Sequence, residues 1–267
     1  MPVVMPPLRF LLAQTLFALG VALLCLNVWG LLSPNDQRNQ WNTQTTSYSA
    51  ALKQIAALER NLHETTIEDV THVIHNAMRR GVPPTSSLRV PPRQNWILYS
   101  LTWADPLFQA LGLTNLPHLF REYQMTHPWM ALERGFGICS QQSLVLAGIF
   151  MERFSIPASL VNLNGHVLVQ TEWKDGTLFL ADPIFNVALP FGLKTAESHP
   201  NQVATRYPKN SYVPALFGSH DNRIIPGGPR GFNPKLYWIE RTSYILIWVI
   251  PILLLLPQLL DMLRRQR

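Results

Sequence analysis

The chain has 267 residues, of which 47% are hydrophobic and 14% charged, and its net charge is +6. The surplus does not point to nucleic acid, because Arg9, Arg264, Arg265 and Arg267, offset by Asp261, flank two apolar ends and carry half of it. The remaining 18 basic and 15 acidic residues form no long basic run and no RNA-binding signature, so nucleic acid is not an expected partner.

Residues 1–9 lead into an uncharged run, 10–32, that spans roughly 34 Å as a helix, enough to cross a bilayer. A cleavable signal peptide is disfavoured because the run is too long and no small-residue cleavage site follows. Cys25 does not make a lipoprotein signal, since Leu24 precedes it where a small residue is needed. Residues 33–93 form a helical region and connector. Leu52, Ile55, Ala56 and Leu58, then Ile67, Val70, Ile74, Ala77 and Met78, recur at helical spacing and predict two amphipathic helices between about 49 and 78. Glu68, His72, His75 and Arg79 fall on the polar side of the second. His72 and His75 have the spacing of a metal pair, but no third ligand lies nearby, so a solvated face is expected and no metal or cofactor. Residues 81–93, GVPPTSSLRVPPR, read as a proline-rich connector.

Residues 94–242 are the expected globular domain, with Trp96, Trp103 and Trp129 as packing aromatics. A glycine-rich turn, GFGIC, runs into a segment from Cys139 to Phe154 that is apolar on nearly all sides, which predicts a helix buried at the domain centre, with Pro157 marking its exit. HVLVQTEWKDGTLFLADP then predicts a hairpin. A three-residue loop, Lys174 to Gly176 with Gly176 left-handed, pairs Trp173 with Thr177 and puts His166 and Asp182 on one face at diagonal positions; a two-residue loop would separate them. From about Pro190 to Tyr237 the chain is rich in Pro, Gly and Asn and is expected to wrap the domain irregularly. A second apolar run, 244–260 within a span of 243–263, carries Pro251 and Pro257. Neighbouring groups must then satisfy the carbonyls that the prolines free. The flanking arginines put both termini, 1–9 and 264–267, in the cytoplasm and the domain outside.

Cys139 stands where chemistry is expected. The one other cysteine, Cys25, lies inside the first span, so the exported thiol has no partner for a disulfide within the chain. At a helix N-terminus, unpaired N–H groups and the helix dipole favour a thiolate. His166 opens one strand and Asp182 closes the next, which supplies a base and a group to orient it. The Cys139 backbone N–H and an upstream side chain, Gln124 or Trp129, are candidate oxyanion donors. Taken singly, each residue has a structural explanation: a buried thiol, a histidine satisfied in a hairpin, an aspartate capping the turn before Pro183.

Together, GFGICSQQS, IPASLVNLNGHVLVQTEWKDG and FLADPIF resemble the three motif regions of the bacterial transglutaminase-like superfamily. The matching positions are Gly137, Cys139, Ile156 to Ala158, His166 and Asp182 with Pro183, within about 130–190. The resemblance implies an α+β fold with a papain/transglutaminase-like core, a central cysteine-bearing helix against an antiparallel sheet, here between N- and C-terminal transmembrane helices. It implies Cys139 as nucleophile, His166 as base and then acid, and Asp182 as orienting carboxylate, without a cofactor. The expected activity is cysteine hydrolysis, protease or amidase, or acyl transfer, on an extracytoplasmic protein, peptide or glycoconjugate. The alternative is a non-catalytic component of a membrane assembly such as polysaccharide biosynthesis or export. The expected location is the cell inner membrane, with the domain facing the periplasm or cell exterior and the bilayer itself as a partner. In a cysteine scan, membrane-impermeant reagents applied from outside should label positions between 35 and 240 and none beyond 264; labelling beyond 264 would contradict two spans.

Overall fold

The computed structural model describes residues 8–33, 35–36, 46–63, 65–81, 90–112, 124–219 and 221–265. Most of the proline-rich connector and of the polar stretch after the first span lie outside the described residues. In chain order the elements are α1 (Leu8–Leu32), α2 (Tyr48–Arg60), α3 (Thr66–Ala77), β1 (Arg79–Arg80), α4 (Pro92–Ala110), α5 (Pro128–Arg134), β2 (Phe136–Gly137), α6 (Cys139–Arg153), β3 (Ala158–Leu163), β4 (His166–Glu172), β5 (Leu178–Asp182), β6 (Val187–Leu189), α7 (Leu193–Ser198), α8 (Pro200–Arg206), α9 (Val213–Leu216), β7 (Arg223–Ile225), α10 (Gly228–Phe232) and α11 (Pro234–Arg265). The chain is α+β and divides into two compact units.

The first unit gathers residues 1–35, 87–122 and 239–267, and so contains α1, α4 and most of α11. Leu11–Leu32 and Pro234–Arg264 are long and apolar enough to cross a membrane, and only 11% of each apolar window is buried. Pro251 has no N–H to give the carbonyl of Ile247, four residues back. The side chain of Asn27 on α1, itself 3% exposed, donates to that carbonyl at 2.5 Å, and α11 continues through both prolines as one helix. In α4 the helical run breaks at Asn95, whose side chain accepts from the Leu98 N–H at 3.0 Å and donates to Ser243 Oγ at 2.8 Å. Trp103, expected to pack, is 57% exposed on the same helix.

The second unit comprises residues 36–86 and 123–238. Its five-stranded antiparallel sheet has the order β6-β5-β4-β3-β7. Helix α6 is buried from Ser140 to Phe150, as its all-round apolar sequence requires. The amphipathic pair α2 and α3 packs in this same unit, burying Ala51 and Ile55 from the first helix and Ile67, Val70 and Ile74 from the second.

The β4–β5 register pairs Glu172 with Leu178 and Val169 with Ala181. The Trp173 N–H donates to the Thr177 carbonyl at 2.8 Å, and Gly176 has φ 87°, so the three-residue loop forms as the turn sequence predicts. Leu168, Leu180, Val187 and Leu189 share a sheet face with His166 and Asp182. On that face they pack with Leu193, Val203, Tyr207, Val213 and Phe217 from the 190–237 segment. That segment, expected to be irregular, holds short helices and the edge strand β7; each piece is too short to show a period, and burial against the sheet orders it. Gly176→Val should therefore cost about 1–2 kcal/mol in denaturant unfolding, because a β-branched residue resists positive φ. Unchanged stability would contradict the hairpin geometry.

Candidate active site

Cys139 is the first residue of α6, and Ile138 precedes it as an N-cap without a side-chain hydrogen bond. The helix itself therefore gives the first-turn N–H groups no acceptor. Gly137 is required by close approach: a Cβ there would lie 2.5 Å from the Cβ of Gln141. The Gln141 amide is occupied in turn. Its Oε1 accepts from the Met125 N–H at 2.8 Å and from Arg134 Nη2 at 3.0 Å, and its Nε2 donates to the Met125 carbonyl at 2.9 Å. These bonds seat residues 124–126 beside the cysteine turn. Gln124 Nε2 donates to Ser140 Oγ at 2.8 Å, next to Cys139, whereas Trp129 Nε1 donates to Glu152 Oε2 at 2.9 Å, at the other end of α6. Of the two candidate oxyanion donors, Gln124 is the one held at the helix start.

The three predicted residues meet. His166 and Asp182 are both 1% exposed, with His166 Nε2 2.7 Å from Asp182 Oδ2. The other ring nitrogen, Nδ1, makes no hydrogen bond of good geometry, and the ring acts on the half-buried Cys139 thiol through charge and a looser side-chain contact. Ser143 Oγ donates to the Val167 carbonyl at 2.8 Å, pinning α6 to the strand that opens with His166. Burial alone would push the Cys139 thiol up. The His166 hydrogen bond and charge outweigh it, with help from the Val167 and Ser140 backbone, and hold the thiol below its ordinary value. Burial likewise opposes the imidazolium, yet the hydrogen bonds and charges of Asp182 and Cys139 raise His166 from 6.5 to about 9. The two shifts run in the sense that favours an ion pair: the thiol is held below its ordinary value and the imidazole above its own.

Asp182 is held from two further sides. Its Oδ1 accepts from the Ile184 N–H at 3.0 Å, and its Oδ2 accepts from the Tyr207 hydroxyl at 3.0 Å. Burial and then the Asp182 charge push the Tyr207 hydroxyl well above its ordinary value, so it remains a donor. Tyr207 escaped the sequence reading because it lies at the end of α8, 25 residues from Asp182, in a segment without period. His75 is part-buried rather than solvated, and its Nδ1 lies 2.9 Å from the Pro183 carbonyl, bracing the turn after Asp182. His72 hydrogen-bonds with Asn76 and Asn186, and among the described residues no group of metal-binding side chains forms.

Compared with protein-family models, with curated proteins and with solved structures, the chain matches none.

The His166 shift fixes a sign. A pKa raised in the folded state adds stability that is full below about pH 6.5 and is lost as pH rises through about 9. The lowered Cys139 thiol titrates in the opposite sense, so the test is made in a Cys139→Ser background, where stability in detergent should fall across that window by up to roughly 3 kcal/mol. In Asp182→Asn, where no carboxylate holds the proton, the fall should be smaller; parallel curves for the two proteins would contradict the assignment.

Proposed function

We propose that the chain is a membrane-anchored cysteine hydrolase of the transglutaminase-like kind, with a papain-like core and a Cys139–His166–Asp182 triad. The observation that carries this is the buried His166 joined on one side to a buried carboxylate and on the other to a cysteine at a helix N-terminus. Structural roles account for each residue alone but give no reason to lower a thiol and raise an imidazole side by side.

In the proposed reaction the Cys139 thiolate attacks an amide or ester carbonyl carbon. The carbonyl π pair moves onto oxygen, where the Cys139 N–H and the Gln124 amide are the candidate donors. As the tetrahedral intermediate collapses, the carbonyl re-forms, the C–N or C–O bond breaks, and His166 gives its proton to the leaving group. His166 then takes a proton from water, the hydroxide adds to the thioester, and the thiolate leaves with the acid product. Water is the favoured acceptor because it is abundant and no amine-binding group is evident among the described residues. Asp182, fixed by Tyr207 and the Ile184 N–H, holds the ring so that one nitrogen always faces the sulfur.

The apolar side chains exposed on the terminal helices, such as Leu31, Leu32, Ile245 and Leu253, support a bilayer around them. The terminal arginines support an orientation with the domain outside the inner membrane. Substrates would then be extracytoplasmic proteins, peptides or glycoconjugates. Comparing envelope peptides and glycans from wild-type and Cys139→Ala cells tests this: at least one species should accumulate in the variant, whereas identical profiles would favour a non-catalytic membrane component.

A further inference from the structure

The rim of the Cys139–His166 pair is built from segments that no sequence motif marks. Strands β1 and β2 form a short parallel ladder in which Arg79 opposes Phe136 and Arg80 opposes Gly137. The Arg79 N–H donates to the Gly135 carbonyl at 2.9 Å, and the Gly81 N–H to the Gly137 carbonyl at 3.4 Å. Gly137 lies two residues before Cys139, so backbone pairing delivers Arg80 to the nucleophile's own turn. The Arg80 guanidinium lies 5.5 Å from the centre of the Phe185 ring. Phe185 belongs to the turn after Asp182, and its ring is 5.9 Å from the His166 imidazole. Tyr212, just before α9 and 46% exposed, stands edge-on to His166 at 6.1 Å and to Phe185 at 6.5 Å.

Arg80 itself is exposed, and among the described residues its side chain makes no ion pair and no hydrogen bond. A guanidinium seated on an aromatic face keeps its planar fork of donors open to a ligand. An exposed cation of this kind adds little to stability, so the fold gives no account of why a charge should stand there.

We propose, resting on the reading of Cys139 as nucleophile, that Arg80 on its Phe185 seat is a carboxylate-binding subsite, and that the substrate is an amide or ester whose acyl part carries a free carboxylate near the attacked carbonyl. One guanidinium presents two parallel N–H groups, which match the planar, singly charged carboxylate. A phosphate is more often gathered by several cations or a helix N-terminus. The exposed face of Tyr212 then covers the apolar part of the acyl chain.

Iodoacetate and iodoacetamide test this, since they have nearly the same shape and differ in charge at the group beside the carbon that sulfur attacks. Their rates with Cys139 are measured by mass spectrometry of its peptide, using the full chain in detergent, in wild type, Arg80→Gln and Arg80→Lys. The His166 imidazolium favours iodoacetate in all three, so only the change in the rate ratio belongs to Arg80. The iodoacetate to iodoacetamide ratio should fall about tenfold in Arg80→Gln, the size expected for one charge pair near the surface, and fall much less in Arg80→Lys. In the wild type, acetate should slow iodoacetate at lower concentrations than inorganic phosphate does, an arm that decides the matter even if Arg80→Gln fails to fold. A ratio unchanged in Arg80→Gln while both reagents react rapidly overturns the subsite alone. Stronger protection by phosphate overturns the carboxylate assignment. A Cys139 inert to both reagents in the wild type overturns the nucleophile and the subsite with it.

Discussion

A carboxylate at 1% exposure is the constraint on which the site depends. A buried carboxyl group needs donors to replace the water it has lost, and Asp182 has three: His166 Nε2, the Tyr207 hydroxyl and the Ile184 N–H. Its hydrogen bond and charge raise the imidazole against burial, and the hydrogen bond and charge of His166 hold the thiol below its ordinary value against burial in turn. Removing either member of the buried His166–Asp182 pair leaves the other without its partner, a loss of about 3–5 kcal/mol in comparable pairs. That coupling binds β4, the end of β5 and the exit of α8 into one electrostatic unit, and it aligns the requirements of folding with those of the proposed chemistry.

Much of this arrangement was legible because it follows from local rules. The turn residues Lys174 to Gly176 determine the β4–β5 register, and the register determines that His166 and Asp182 share a face. The all-round apolar run after Cys139 can only be a buried helix, and the two charge-free ends can only be apolar spans or core. The Asn164–Gly165 turn carried an equally plain hairpin signal, with Gly165 at φ 113°, and it joins β3 to β4 in a sheet of five strands rather than a lone hairpin.

The rest was hidden because it is made by contacts distant in the chain. Tyr207 and Val213 come from a segment whose helices are too short to show a period, and only the sheet beneath them gives their burial a reason. Arg80 reaches the site through a two-residue strand pairing that leaves no mark in composition. Asn27 illustrates the same limit in the other unit. Its partner is a carbonyl freed by Pro251, and the proline predicts that some donor is needed without saying which one.

Holding a thiol below its ordinary value beside a raised imidazole has one direct consequence, which is that the sulfur becomes nucleophilic at lower pH than an ordinary thiol. The rate of Cys139 alkylation by iodoacetamide, followed from pH 4 to 10 in wild type and His166→Ala, measures it. The wild-type rate should level off well below the ordinary thiol value of about 8.5, and His166→Ala should move the midpoint upward. A Cys139 that is unreactive in both proteins, or that titrates identically in both, would contradict the coupled pair.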